Sequence, residues 1–142
     1  MKNIIPYLTF NGNCQEALDF YSLVLGGRIT FVQRFAESPM SDKVPDENLI
    51  MHSEFSFGES KFFASDSMPG QEPHSGNKVT LCIGMTDADE SRKIFDALAD
   101  RGQVQMPLEK AFWGALFGML RDKYGICWML SCQTEPMPGH SS

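Results

Sequence analysis

The chain carries one pattern twice, about 74 residues apart, and this spacing limits the folds open to it more than any other feature. In the first copy a strand pattern at Ile4–Phe10 runs into a turn at Asn11–Asn13, where Asn13 can cap a helix and Glu16 takes the capping-box position. The helix extends to about Leu25 and spaces Ala17, Phe20, Tyr21 and Val24 as an apolar stripe. Gly26 and Gly27 stop it, because glycine readily takes the left-handed conformation just past a helix end. Strand patterns at Arg28–Phe35, Leu49–Phe57 and Lys61–Ser65 follow, with a polar, proline-containing loop at 36–48. In the second copy Lys78–Met85 reads as a strand, Asp87 caps a helix with Glu90 three residues on, and Gly102 ends that helix. Its stripe is Ile94, Phe95 and Leu98, and strand patterns return at Gln103–Leu108, Ala115–Arg121 and Ile126–Ser131. Asn13 registers with Asp87, Phe20 with Ile94, Tyr21 with Phe95 and Val24 with Leu98. The expected architecture is α+β: two βαβββ modules, each a sheet needing the cover of one helix. The alternative is a single α+β sheet without repeat symmetry. Within one domain spanning 1–142, the modules are expected at 1–67 and 76–133, joined by a Pro/Gly-rich linker at 68–75, with a flexible tail at 134–142.

Charge and composition remove several function classes. Twelve basic and eighteen acidic residues leave a net charge of −6, and the basic side chains are scattered. Nucleic acid is therefore not an expected partner, since phosphate attraction dominates such binding. No apolar run approaches the roughly 20 residues that cross a bilayer, so no membrane partner is expected either. The N-terminus MKNIIPYLTF lacks a signal-peptide core and cleavage site, which makes a soluble cytoplasmic protein the expectation. None of the four cysteines, Cys14, Cys82, Cys127 and Cys132, forms a CxxC motif. Cys82 and Cys127 lie in apolar strand patterns and are expected to pack as small hydrophobes.

The run Met106–Trp128, MPLEKAFWGALFGMLRDKYGICW, departs from simple strand alternation: it mixes glycines, aromatics and charges, as a segment lining a concave site does. Arg121–Gly125 reads as a hairpin turn in which Asp122 accepts turn hydrogen bonds. PYLTF at Pro6–Phe10, EALDFYSLVLGG at Glu16–Gly27, MHSEF at Met51–Phe55 and the late FWG with RDKYGICW together resemble the PhnB-like branch of the vicinal-oxygen-chelate (glyoxalase/bleomycin-resistance/dioxygenase) superfamily. The resemblance covers residues 3–133 and implies two βαβββ modules whose sheets curl around a cavity, and a homodimer. In the superfamily's metal enzymes the ligands come from the first and last strands of each module. Carried over, those positions fall at Pro6, near Phe62–Ala64, at Thr80 and at Met129. Pro6 has no side-chain donor, Thr80 is a poor ligand alone, and Met129 offers a thioether where hard or borderline metals take oxygen or imidazole. No glyoxalase-type metal site and no cofactor are expected.

The remaining polar candidates are few. His52 and Glu54 are two apart on a strand and share a face, and Asp66 follows the adjacent strand; together they form a candidate acid/base set. A plain polar strand face is the competing reading. His74 and His140 read as surface residues of the linker and tail. Tyr7, Phe10, Lys110, Trp113, Phe117 and Met129 are candidate ligand-binding residues, with core or interface packing as the alternative for the apolar ones and a surface ion pair with Glu109 for Lys110. The function expected is binding of a small organic ligand. A lyase or isomerase acting through His52, Glu54 and Asp66, with or without a divalent metal, is the second reading, and a closed, interaction-only scaffold is the third. The glycines make no nucleotide fingerprint, and no strand-to-helix glycine loop supports methyl transfer.

Overall fold

The computed structural model describes residues 3–39, 46–67, 76, 78–111 and 114–133. The expected linker at 68–75, the tail at 134–142, Trp113, His74 and His140 lie outside the described residues. The chain divides into two compact units, Met1–His74 and Ser75–Ser142. Each is a βαβββ module.

In the first unit β1 (Tyr7–Phe10) leads to α1 (Cys14–Leu25), then β2 (Arg28–Arg34), β3 (Ile50–Phe57) and β4 (Ser60–Asp66). The sheet order is β1-β4-β3-β2, with β1 parallel to β4 and the other pairs antiparallel. In the second unit β5 (Leu81–Met85), α2 (Ala88–Ala99), β6 (Gln103–Lys110), β7 (Leu116–Arg121) and β8 (Cys127–Cys132) repeat that topology as β5-β8-β7-β6. The two helices begin and end 74 residues apart, as the repeat predicts.

Each helix covers one face of its sheet. On α1 the buried residues are Cys14, Ala17, Leu18, Tyr21 and Leu25, a stripe at i, i+3/i+4 and i+7 spacing. It is rotated from the expected one: Phe20 and Val24 flank it, half-buried. Under it lie Leu8, Phe10, Phe55, Phe62 and Ala64, with the Phe55 and Phe62 rings stacked 4.9 Å apart. On α2 the buried residues are Ser91 and the expected Ile94, Phe95 and Leu98. Gly118 on β7 permits this contact: a Cβ there would lie 2.7 Å from the Phe95 ring and 2.9 Å from the Leu108 Cα.

Three local features differ from expectation in informative ways. Asn13 precedes α1 but its side chain makes no capping bond. The carboxylate of Asp66 caps instead, accepting from Cys14 N through Oδ1 at 2.9 Å and from Ile50 N through Oδ2 at 2.9 Å. Asp87, by contrast, caps α2 locally, accepting from Glu90 N at 3.1 Å. The second difference is a loop length. Three residues, Asn11–Asn13, join β1 to α1, whereas only Thr86 and Asp87 join β5 to α2. The strand offset is therefore 75, and Cys82 takes the place of Tyr7, with Ile83 buried where Leu8 is buried. Cys82 is consequently exposed rather than packed as a small hydrophobe, while Cys14, Cys127 and Cys132 are buried. The third is that Leu81, not Thr80, becomes the counterpart of Pro6.

Candidate functional site

The face of the first sheet opposite α1 carries an aromatic cluster around one imidazole. Residues paired across strands stand on the same face, and β1, β4, β3 and β2 bring Tyr7, Phe63, Glu54 and Phe31 to one register. His52 lies two residues from Glu54 on this face. Its ring is 5.0 Å from Phe63, 5.9 Å from Tyr7 and 6.0 Å from Phe31, centroid to centroid. Tyr7 and Phe31 are about half exposed, at 51% and 49%, so the cluster opens outward rather than forming core.

Polar groups border it. The Thr30 hydroxyl donates to Glu54 Oε2 at 2.8 Å, and Lys61 Nζ stands 3.4 Å from Glu54 Oε1 and 5.8 Å from the Phe63 ring centroid. The Thr30 hydrogen bond, followed by the Lys61 charge, holds the Glu54 carboxyl below the usual carboxylate range. Glu54 is thus a fixed anion on the rim. Paired at the surface with Lys61, it contributes placement of charge more than stability.

The candidate set divides on the structure. His52 and Glu54 come together, but Asp66 does not join them. Along β4 it alternates with Phe63 and Ser65, so it faces α1, buried, with both oxygens committed to backbone N–H groups. Tyr7 lines the cluster. Phe10 faces the other way into the core, buried with its ring 6.4 Å from Tyr21. Phe31 and Phe63 are cluster residues that sequence reading passed over; the signal available was their alternation in step with His52 and Glu54. In the second unit Phe117 and Met129 stand half-buried on the helix-free face, and Lys110 is exposed at the end of β6 opposite Leu116. Asp122 is structural, as expected: it accepts from Tyr124 N, Ile126 N and Trp128 Nε1 at 2.8–3.0 Å.

Strand pairing puts Tyr7, Phe63, Cys82 and Met129 at the helix-free register to which the vicinal-oxygen-chelate resemblance assigns metal ligands, because Pro6 and Leu81 alternate onto the helix-covered faces. This set brings no imidazole or carboxylate, and a single thiol does not complete a zinc, iron or manganese shell. Among the described residues no group of three or more His, Cys, Asp or Glu side chains gathers as a metal site. These residues do not fit the usual metal.

A family model described as 3-demethylubiquinone-9 3-methyltransferase matches residues 2–131. Protein YjdN of Escherichia coli is 33% identical over 137 residues, covering 89% of this chain and 92% of that protein. Among solved structures, protein PA1353 from Pseudomonas aeruginosa is 36% identical with a TM-score of 0.83, covering 94% of this chain and 98% of that one. A PhnB protein from Bacillus cereus is 26% identical with a TM-score of 0.80, over 92% and 99% of the two chains. The fold likeness extends to a glyoxylase/bleomycin resistance protein/dioxygenase domain from Frankia sp. EAN1pec, 9% identical with a TM-score of 0.65 over 94% and 98%. With paired βαβββ modules, the fold of the Frankia domain and near-complete coverage on both sides, the chain belongs to the PhnB-like family described as 3-demethylubiquinone-9 3-methyltransferase.

Proposed function

We propose that this protein binds a small organic molecule on the helix-free face of its first sheet, with His52 as the polar anchor and Tyr7, Phe31 and Phe63 as apolar walls. The observation that carries the reading is the imidazole held within 5.0–6.0 Å of three aromatic rings on an outward-opening face. Apolar walls with a few placed polar groups are the general form of a ligand site. Such a ligand has a flat apolar part that stacks on the rings and a polar group that meets His52. Methyl transfer has less support. The strand-to-helix connections Asn11-Gly12-Asn13 and Thr86-Asp87 lack the glycine-rich form that seats a nucleotide-type cofactor at a helix N-terminus. A metabolite and drug screen by thermal shift, followed by calorimetry, tests the proposal. Hits whose affinity falls about tenfold or more in both His52→Ala and Phe63→Ala support it; hits indifferent to both variants, or no hits at all, reject it.

The second reading is a lyase or isomerase in which His52 moves a proton, favoured by the Glu54 anion on the same face. Turnover of a bound hit that His52→Gln abolishes and Phe63→Leu only weakens would establish it. The reading also includes a homodimer: β1, β2, β5 and β6 are edge strands, and natural proteins protect such edges. A monomer alone in light scattering at low concentration contradicts that part. Four free cysteines agree with a reducing, cytoplasmic setting, and no helix among the described residues is long and apolar enough to cross a membrane.

A further inference from the structure

The second sheet repeats the geometry of the first with different chemistry. At the register that holds Tyr7, Phe63, Glu54 and Phe31 in the first unit, the second holds Cys82, Met129, Met119 and Met106. Cys82 pairs with Met129, Met129 with Met119, and Met119 with Met106. Each of the four strands thus contributes one sulfur to a single row across the helix-free face. Cys82 and Met106 are exposed, and Met119 and Met129 are half-buried.

We propose that this row is a binding site for a soft monovalent metal ion, copper(I), held by the Cys82 thiolate and the thioethers of Met129 and Met119, with Met106 at the edge.

Ligand type selects the metal first. One thiolate among thioethers favours copper(I): zinc also takes thiolate, but its sites complete the shell with further thiolate, imidazole or carboxylate, which this row does not supply. Reach comes second. Neighbouring strands lie about 4.8 Å apart, and methionine side chains have three rotatable bonds and a polarizable sulfur. Sulfurs at one register can therefore converge on one ion without backbone movement. Charge is the third argument. Binding forms a sulfur–metal bond as the Cys82 S–H proton leaves to solvent, so thiolate and monovalent ion make a neutral complex. That suits a face whose next residues along β5, β8 and β7 are uncharged, Gly84, Ser131 and Phe117, with the exposed Glu109 of β6 at the far end of that row. The nearby Arg121 guanidinium is turned toward the carbonyls of Gly76 and Gly125 at 3.2 and 3.5 Å. Access is the fourth: a Cβ built on Gly84, two residues from Cys82 on the same face, meets nothing within 4 Å.

The test is anaerobic titration of the reduced full chain with copper(I) against bicinchoninate as the competing chelator. One copper(I) per chain is expected, with an all-sulfur first shell by X-ray absorption. Cys82→Ser and the volume-conserving pair Met129→Leu with Met119→Leu should each weaken binding about tenfold or more. Cys132→Ser, on the face covered by α2, and His52→Ala should leave it unchanged, the latter separating this site from the proposed organic-ligand face. Circular dichroism verifies that the variants fold. No withdrawal of copper(I) from bicinchoninate overturns the proposal. So does affinity unaltered in Cys82→Ser and in the methionine pair, or zinc(II) binding as tightly as copper(I).

Discussion

Replacing Asp66 tests the largest local claim the structure makes. The carboxylate is 5% exposed and accepts from two backbone donors of fully buried residues, Cys14 and Ile50. A hydrogen bond to an ionised group contributes about 1.5–3 kcal/mol, and a buried donor left unsatisfied costs about 1–3 kcal/mol. Asp66→Ala removes both acceptors and the anion at the start of α1, whose dipole favours negative charge there. The loss expected is about 3–5 kcal/mol, set against roughly 5–15 kcal/mol of total stability for an ordinary domain. Asp66→Asn keeps one acceptor oxygen but turns an amide donor toward the other N–H, so it should cost about 2–3 kcal/mol. Urea unfolding followed by circular dichroism at neutral pH measures both: the midpoints should fall in the order wild type, Asn, Ala, with little change in slope. A loss under about 1 kcal/mol for Asp66→Ala would refute the reasoning. If Asp66→Asn, still folded, abolished binding at His52 without destabilising the chain, Asp66 would return to the site as an acid/base partner.

Other expectations follow from single contacts. Gly118→Ala drives a methyl group against the Phe95 ring and the Leu108 backbone, which cannot yield as a side-chain tip can; a loss of about 1–3 kcal/mol is expected in the same unfolding assay. Glu54 has a folded-state pKa below its unfolded one, so its stabilisation is present above the unfolded value and disappears as pH falls through the folded value. Glu54→Gln should therefore lower the melting temperature slightly at pH 7, and the difference from wild type should close with acidification; a gap that widens toward acid contradicts the assignment. Iodoacetamide at pH 8 should label Cys82 first, although partial desolvation raises its thiol pKa. Cys14 should stay protected, because burial and then the Asp66 charge push its thiol up to about 12; equal labelling of the two, read by peptide mass, would show that α1 does not hold Cys14 as described.

Helices and strands encode position with different tolerance, and that difference explains which parts of this molecule the sequence reveals. The expected α1 stripe lies one flank away from the true centre and still locates the helix, because Tyr21 and Ala17 belong to both. A strand allows no such latitude: its side chains alternate, so a shift of one residue exchanges the two faces. The repeat is 74 in the helices and 75 in the first strands because Thr86 and Asp87 do the work of Asn11–Asn13. That missing residue is why Leu81 replaces Thr80 opposite Pro6, and why Cys82 faces outward beside Met129. The cap of α1 was hidden for another reason. Asp66 lies 52 residues from Cys14, and a local capping pattern around Asn13 and Glu16 gives no sign that a distant carboxylate takes its place. His52 with Glu54 needed only period-two alternation and was visible, but Phe31 and Phe63 required pairing registers across three strands. The sulfur row requires all four. Its components are ordinary in sequence, one cysteine and three methionines spread from 82 to 129, and they become a set of ligands only when β5, β8, β7 and β6 align them. A site made by register in this way is absent from any linear motif, and the same register makes it sensitive to a one-residue change in the loop before α2.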